Sequence, residues 1–278
     1  MKISGPFFPS LQFMLVQDNF VDYRGSRLHY AKAGLGPAPL LIFHGFGQDH
    51  QVFEHWVKAL ENHYRLYVFD LYFHGQSTWP SRQPLEKSDW IKIMAQFFEQ
   101  EEINSFDVAG FSLGGKFALA TLEAYPEKVK KIILLAPDGI KTSFWYSLAT
   151  YPIAIRNLFK SMVLKPGRFH ALIRFFHALG LVNKGIVRFA ESQMNTEEKR
   201  RRVYFSWVYF RHLRFDIPQM AVLLNQFKIP LLLIMGKYDK VIPVRNMNRL
   251  FNRLHQKKLE IIESGHNDLV RNALIFFL

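Results

Sequence analysis

The sequence has 278 residues, nearly half of them apolar, and a formal net charge of +13. This length allows one large α/β domain with an inserted subdomain, or two small domains. The lack of cysteine excludes disulfides, thiolate metal sites and a cysteine nucleophile, and no apolar run reaches the ~18 residues that a membrane-spanning helix needs.

The first half of the chain alternates short apolar runs with longer amphipathic ones. Predicted strands cover residues 27–32, 40–43, 65–69, 106–109 and 131–136, and predicted helices cover 53–60, 85–101 and 113–124. After a long interruption, the same rhythm resumes with a strand over 230–235, a helix over 246–254, a strand over 258–262 and a helix from 268. The alternation predicts an α/β fold with a mostly parallel sheet and helices on both faces.

The interruption, from residue 140 to about 227, shows helical patterns and no clear strand pair. We therefore predict a core domain formed by residues 1–138 and 229–278, with a helical cap inserted at 139–228. Such an insertion is expected over the carboxyl edge of the sheet, where ligands bind. The cap segment holds 15 Lys and Arg but only 4 Asp and Glu. This charge either keeps the surface solvated or attracts an anionic carrier protein, lipid surface or substrate.

A glycine-flanked serine follows the strand predicted at 106–109. Gly110-Phe111-Ser112-Leu113-Gly114 matches G-x-S-x-G and opens the next predicted helix. That strand–turn–helix context is the one a nucleophile elbow requires, because the sharp turn exposes the serine hydroxyl. Ser112 is therefore the candidate nucleophile.

A serine hydroxyl needs a base, and the base needs an acid to orient it. His266 follows the last predicted strand, and Asp239 follows the strand predicted at 230–235. The order serine, acid, histidine is the order used by this type of fold. Asp138, just past the strand predicted at 131–136, is the alternative acid.

A developing oxyanion needs backbone N–H donors. The predicted donors are the amides of Leu113, directly after the nucleophile, and of Phe46, in the loop after the strand at 40–43. His44 is interpreted as bracing that loop. Asp70, His74 and Ser77 lie too close in sequence to converge as a triad, and they are interpreted as a structural turn.

Together these segments resemble the α/β-hydrolase superfamily, in its serine hydrolase branch with a helical cap, and they are carboxylesterase-like. The resemblance rests on H-G-F-G, D-L-x-x-H-G-x-S, G-F-S-L-G-G, G-K-x-D-x-V-I-P and G-H, in the order of the family, from Leu40 to His266. It implies an eight-stranded-type sheet, a Ser112–Asp239–His266 triad and an oxyanion hole at Phe46 and Leu113. Phe73 departs from the pattern, since many relatives have glycine before the H-G.

The resulting prediction is a serine hydrolase that cleaves a carboxylic ester or thioester through an acyl-serine intermediate. The same triad also serves C–C bond hydrolysis, perhydrolysis and lyase reactions, and a non-catalytic receptor can retain the fold. The predicted partner is a small-molecule ester, with an anionic carrier or lipid surface at the basic cap. No metal, organic cofactor or nucleic acid is expected. We recognise no signal peptide, which favours the cytoplasm.

Overall fold

The computed structural model describes residues 17–141, 144–165, 167–168, 171 and 195–277. Among these residues, eight strands form one sheet: β1 (Gln17–Tyr23), β2 (Ser26–Ala33), β3 (Ala38–Phe43), β4 (Tyr64–Phe69), β5 (Phe106–Phe111), β6 (Val129–Leu135), β7 (Leu231–Gly236) and β8 (Lys257–Ile262). Their order across the sheet is β1-β2-β4-β3-β5-β6-β7-β8. The pairs β1–β2 and β2–β4 are antiparallel and all other pairs are parallel. The predicted α/β fold with a mostly parallel sheet is confirmed.

Strand β1 was absent from the sequence prediction. Its sequence is rich in Asp and Asn, residue types that are uncommon in strands, and half of it is exposed. It is held by pairing with β2 through a two-residue turn in which both Arg24 and Gly25 have positive φ, 48° and 78°. Such turns match the natural twist of a hairpin. The strand therefore forms because of its partner rather than its own propensity.

Helices cover both faces of this sheet. In the described residues they are α1 (Glu54–Leu60), α2 (Lys87–Gln100), α3 (Gly114–Ala124), α4 (Phe144–Thr150), α5 (Ile153–Leu164), α6 (Glu197–Tyr209), α7 (Ile217–Gln226), α8 (Asn248–Phe251) and α9 (Leu269–Asn272). Short 3₁₀ helices occupy His50–Phe53, Val244–Met247 and Ala273–Phe276. The helices predicted at 246–254 and from 268 are thus partly 3₁₀ in character. None of the described helices combines the length and apolarity needed to cross a membrane.

An aromatic cluster joins α2 and α3 to the centre of the sheet. Phe43 of β3 stacks on Phe69 of β4 at 5.0 Å, and Trp90 of α2 lies 5.8 Å from Phe43 and 5.0 Å from Phe117 of α3. All four side chains are fully buried. Each such side chain contributes about 2–3 kcal/mol by leaving water. The helix that carries Ser112 at its start is therefore rigidly packed on the sheet.

Between β6 and β7 the described residues form helices and no strand. Val163 of α5 packs with Tyr204 and Val208 of α6 in a small buried cluster of its own. By contrast, Phe210 and the buried side of α7 belong to the main core. The division of the chain at residues 139 and 228 stays a prediction.

Candidate active site

The turn between β5 and α3 places Ser112 at the carboxyl edge of the sheet. Its φ of +50° lies in the left-handed region that residues other than glycine rarely adopt. The Ser112 amide donates to the carbonyl of Leu135 on β6 at 2.9 Å. A Cβ on Gly110 would lie 2.5 Å from the carbonyl oxygen of Gly114, and a Cβ on Gly114 would lie 2.0 Å from that of Phe43. The turn therefore has the geometry of a nucleophile elbow, and the glycines are sterically required.

His266 approaches Ser112 from the loop that follows β8. Its Nε2 lies 2.9 Å from the Oγ of Ser112, and its Nδ1 lies 2.6 Å from Oδ2 of Asp239. The ring of Phe111, the last residue of β5, lies 5.0 Å from the imidazole ring and packs against it. Along the chain, Ser112 and Asp239 are 127 residues apart, and Asp239 and His266 are 27 residues apart. The structure thus brings together three side chains that are distant in sequence.

Asp239 is fixed in the loop after β7. Its side chain is fully buried, and its Oδ1 accepts hydrogen bonds from the amides of Val241 at 2.8 Å and Ile242 at 2.9 Å. Burial alone would raise the pKa of Asp239, but the hydrogen bonds from His266 and the two amides outweigh it and hold the pKa below its ordinary value. The carboxyl group is therefore ionised at neutral pH.

The proton positions follow from the hydrogen-bonding partners. An ionised carboxylate only accepts, so Nδ1 of His266 carries the hydrogen that is donated to Asp239. In the neutral imidazole the other nitrogen, Nε2, then has a free lone pair. This lone pair faces the hydroxyl of Ser112, so the arrangement can remove the hydroxyl proton.

Asp138, the alternative acid, makes different contacts. Its Oδ2 lies 3.2 Å from Nζ of Lys116, and its Oδ1 accepts from the amide of Gly139 at 2.7 Å. Its backbone amide donates to the carbonyl of Ser112 at 2.8 Å. In the part of the chain that the structure describes, no hydrogen bond joins Asp138 to His266. Asp138 therefore supports the elbow without orienting the imidazole.

Lys116 is a buried cation that the sequence analysis missed. Its side chain is 5% exposed, and its ammonium lies 4.3 Å from the ring centre of Tyr146 on α4. Burial alone would lower the pKa of Lys116, but Asp138 and Tyr146 raise it above its ordinary value. The Tyr146 hydroxyl in turn donates to the carbonyl of Trp207 on α6 at 2.9 Å. The available signal was a lysine next to the apolar run 117–120 in the first turn of α3.

The two predicted oxyanion donors lie beside the elbow. Leu113 follows Ser112 directly, and the loop that carries Phe46 is close because a Cβ on Gly45 would lie 2.8 Å from the ring of Phe111. Neither the amide of Phe46 nor that of Leu113 donates a hydrogen bond to another residue within the described ranges. Their role as the donors of an oxyanion hole stays a prediction.

His44 braces the loop beside the elbow, in agreement with the sequence interpretation. Its Nδ1 donates to the carbonyl of Gly45 at 2.7 Å, and its Nε2 accepts from the amide of Leu71 at 3.0 Å. The accepting nitrogen cannot also carry a hydrogen, so the ring is neutral. Burial lowers the pKa of His44 below its ordinary value, which favours the same state.

The turn at Asp70 forms a separate hydrogen-bonded cluster. One carboxylate oxygen accepts from His29 at 2.8 Å and from the amide of Gln76 at 2.9 Å. The other accepts from the amide and the ring of His50 at 2.7 and 3.0 Å, and Ser77 donates to the Asp70 carbonyl at 2.6 Å. Potential ligand atoms of His29, His50 and Asp70 lie within 4.8 Å of one another, close enough for one cation. Both carboxylate oxygens already have protein donors, so the cluster is explained as a structural turn.

Phe73 connects this turn to the helices between β6 and β7. It has φ of +68°, a conformation that favours glycine. Its ring stacks on Phe205 of α6 at 5.3 Å and lies 5.3 Å from Tyr209 and 5.7 Å from Phe210. The departure from glycine seen in the sequence thus gives a contact that holds α6 to the sheet.

Comparisons with known proteins identify the family of the chain. A sequence model of the alpha/beta hydrolase fold matches residues 38–273. The chain is similar to a poly(3-hydroxyalkanoate) depolymerase of Ectopseudomonas oleovorans, with 27% identity over 84% of this chain and 80% of the depolymerase. It is also similar to a pimeloyl-[acyl-carrier protein] methyl ester esterase of Nitrosomonas europaea, with 24% identity over 86% and 92% of the two chains.

A solved structure shares the fold over nearly the whole length. A thermophilic esterase from Thermogutta terrifontis superposes with a TM-score of 0.66 at 17% identity, over 94% of this chain and 96% of the esterase. At that identity the likeness concerns the fold alone. The family match carries more weight, because it spans most of the sequence and includes Ser112, Asp239 and His266. The chain therefore belongs to the alpha/beta hydrolase fold family.

Proposed function

We propose that this α/β hydrolase cleaves a carboxylic ester or thioester through an acyl-enzyme intermediate on Ser112. The observation that carries the proposal is the continuous hydrogen-bonded path from Ser112 Oγ through His266 to Asp239. The free amides of Phe46 and Leu113 add the donors that a tetrahedral intermediate needs. A protein that only binds a ligand has no need for all of these groups together.

The reaction proceeds in two halves. In the first, Nε2 of His266 takes the hydroxyl proton as Ser112 Oγ bonds to the carbonyl carbon, and Asp239 stabilises the imidazolium. The oxyanion binds the amides of Phe46 and Leu113. As it collapses, the bond to the leaving group breaks and His266 protonates the departing alcohol or thiol. In the second half, His266 takes a proton from water, whose oxygen bonds to the acyl carbon. The bond between the acyl carbon and Ser112 Oγ then breaks, and His266 returns the proton to Oγ, which releases the acid and free Ser112.

The comparisons support ester chemistry over the alternatives. One relative is named a methyl ester esterase, and another is named a depolymerase of poly(3-hydroxyalkanoate). C–C bond hydrolysis, perhydrolysis, a lyase reaction and simple ligand binding use the same fold and are the competing outcomes. We also propose that the ester reaches the enzyme on an anionic carrier or lipid surface, because the segment 139–228 carries most of the net positive charge.

The test combines turnover with covalent labelling. Wild type, Ser112→Ala and Ser88→Ala are assayed on p-nitrophenyl esters from acetate to palmitate and treated with an alkyl fluorophosphonate. Ser88 is an exposed serine on α2 and serves as the matched control. We expect wild type and Ser88→Ala to turn over and to gain the mass of one phosphonyl group, and Ser112→Ala to do neither. Labelling without ester turnover would favour the C–C hydrolase or lyase reactions, and the absence of both would favour a receptor.

A further inference from the structure

A groove of about 650 Å³ lies between α5, α6 and the loop before α2. Among the residues that the structure describes, its lining contains five cations and no Asp or Glu: the cations are Arg82, Arg156, Lys160, Arg201 and Arg211. The adjoining sequence has the same bias, since residues 139–190 contain eight Lys and Arg and no acidic residue. The groove therefore attracts anions strongly.

The positive charges of the groove are poorly compensated within the protein. Arg201 pairs with Glu197 at 3.5 Å, but both side chains are more than half exposed, and such pairs contribute little. Within the described ranges, Arg82, Arg156, Lys160 and Arg211 form no ion pair. Burial and the nearby charge of Arg156 lower the pKa of Arg211, and they outweigh the opposite effect of Glu86. An anion in the groove would relieve this repulsion.

The helices that bear the groove also expose apolar side chains. Ile153 and Leu158 on α5 are 67% and 48% exposed, and Trp207 on α6 is 37% exposed. Exposed aliphatic and tryptophan side chains on the same helices as Arg and Lys are a combination typical of segments that insert at the boundary of lipid headgroups and acyl chains. An acidic protein would match the charges but would leave these apolar groups against a polar surface. The observations therefore favour a lipid surface.

Aromatic contacts lead from the groove to the candidate active site. Phe205 lines the groove and stacks on Phe73. Phe73 precedes His74, whose ring lies 5.5 Å from that of Phe46, the residue with a predicted oxyanion amide. A lipid bound at the groove would thus be held near the edge of the sheet where Ser112 lies.

We propose that this groove binds the phosphate headgroups of anionic phospholipid and seats the protein on a membrane surface, with the exposed side chains of α5 and α6 entering the interface. Delivery of lipid esters to Ser112 rests on the proposed function. Binding to the surface itself requires no catalysis, so the two ideas can be tested apart.

The test measures co-sedimentation with vesicles of phosphatidylcholine alone or with about one third phosphatidylglycerol. Wild type and Ser112→Ala are expected to bind the anionic vesicles equally, more weakly as salt rises, and to ignore neutral ones. The double variant Arg156→Gln/Lys160→Gln is expected to bind about 30-fold more weakly, because each basic residue near an anionic surface contributes a factor of about five. Replacement of Ile153 and Leu158 by serine is also expected to weaken binding.

The matched control is Lys58→Gln/Lys92→Gln, which removes the same charge from exposed positions on α1 and α2 outside the groove. Thermal unfolding verifies that each variant is folded. Equal losses in the control and the groove variant would show that net charge alone is responsible and would overturn the proposed site. Failure of wild type to bind anionic vesicles would overturn the lipid surface. In that case, groove-dependent turnover of an ester on an acidic carrier protein would identify the other partner.

Discussion

Replacing Asp239 by asparagine separates the two candidate acids at small structural cost. The introduced asparagine would keep an oxygen for the amides of Val241 and Ile242, which now bond to Oδ1 at 2.8 and 2.9 Å. Its NH₂ group would then face Nδ1 of His266, now 2.6 Å from a carboxylate oxygen. Because NH₂ only donates, Nδ1 becomes the acceptor and the ring hydrogen moves to Nε2. The imidazole would then present a donor to Ser112 and could not take its proton.

The expected loss in kcat is about 10⁴-fold, which corresponds to about 5.4 kcal/mol in the activation free energy. Asp138→Asn is the comparison variant. It leaves the imidazole unaffected but removes the anionic partner of buried Lys116. We expect the free energy of unfolding to fall by about 1–3 kcal/mol, less than for a fully buried pair, because the carboxylate is 34% exposed. Steady-state kinetics on a short p-nitrophenyl ester, with urea unfolding of each variant, measures both quantities. A larger loss of kcat in Asp138→Asn than in Asp239→Asn would refute this reasoning.

Three further predictions concern the surrounding structure. Gly114→Ala is expected to prevent folding or to cost several kcal/mol in urea unfolding, because the new Cβ would lie 2.0 Å from a backbone oxygen of β3; a stability within about 0.5 kcal/mol of wild type would contradict this. Phe73→Ala is expected to lower the free energy of unfolding by about 1–3 kcal/mol. Phe73→Gly is expected to lower it by about 1 kcal/mol less, because glycine tolerates φ of +68°. A glycine variant that is less stable than the alanine variant would show that the backbone at residue 73 is not strained. Burial lowers the pKa of His44, and it lowers the pKa of His74 to about 3. Both imidazoles therefore stay neutral in the folded protein at a pH below about 6.5, where they take up a proton in the unfolded chain. The free energy of unfolding is therefore expected to decrease as the pH falls. The hydrogen bond from His50 to a carboxylate raises the pKa of His50, which offsets part of this loss of stability. We expect the free energy of unfolding to be about 2 kcal/mol lower at pH 5 than at pH 7.5, and to depend less on pH in His74→Gln. An unchanged pH dependence in that variant would exclude His74 as a cause of the loss.

The central strands were predictable because they are buried on both faces. β3, β5 and β7 are mostly apolar, and a glycine lies at or just after the carboxyl end of each, so the apolar run and the strand end are both visible in the sequence. β1 carries no comparable signal, since its formation depends on the hydrogen bonds of β2. The β1 edge of the sheet is therefore where single-sequence reasoning failed, whereas the opposite edge strand, β8, was predicted.

The candidate site follows the same rule. The residues around Ser112 were predicted from turn chemistry and chain order, which are local properties of the sequence, and the structure brings His266 and Asp239 into hydrogen-bonding range. Their catalytic roles stay predictions. The pairing of Lys116 with Asp138 and the convergence of five cations on one groove depend on packing between distant segments, and no local pattern reveals such packing.

The anchoring of Phe210 bears on the construction of chimaeras between relatives. Phe210 is fully buried 4.9 Å from Phe117, and the carbonyl of the preceding Tyr209 accepts from the amide of Leu85 at 2.9 Å. Exchange of the whole segment 139–228 would replace both the core side chain of Phe210 and the residue whose carbonyl accepts from the amide of Leu85. A joint placed before Tyr209 would retain both, so α4, α5 and most of α6 can be exchanged while the recipient keeps its own core contacts.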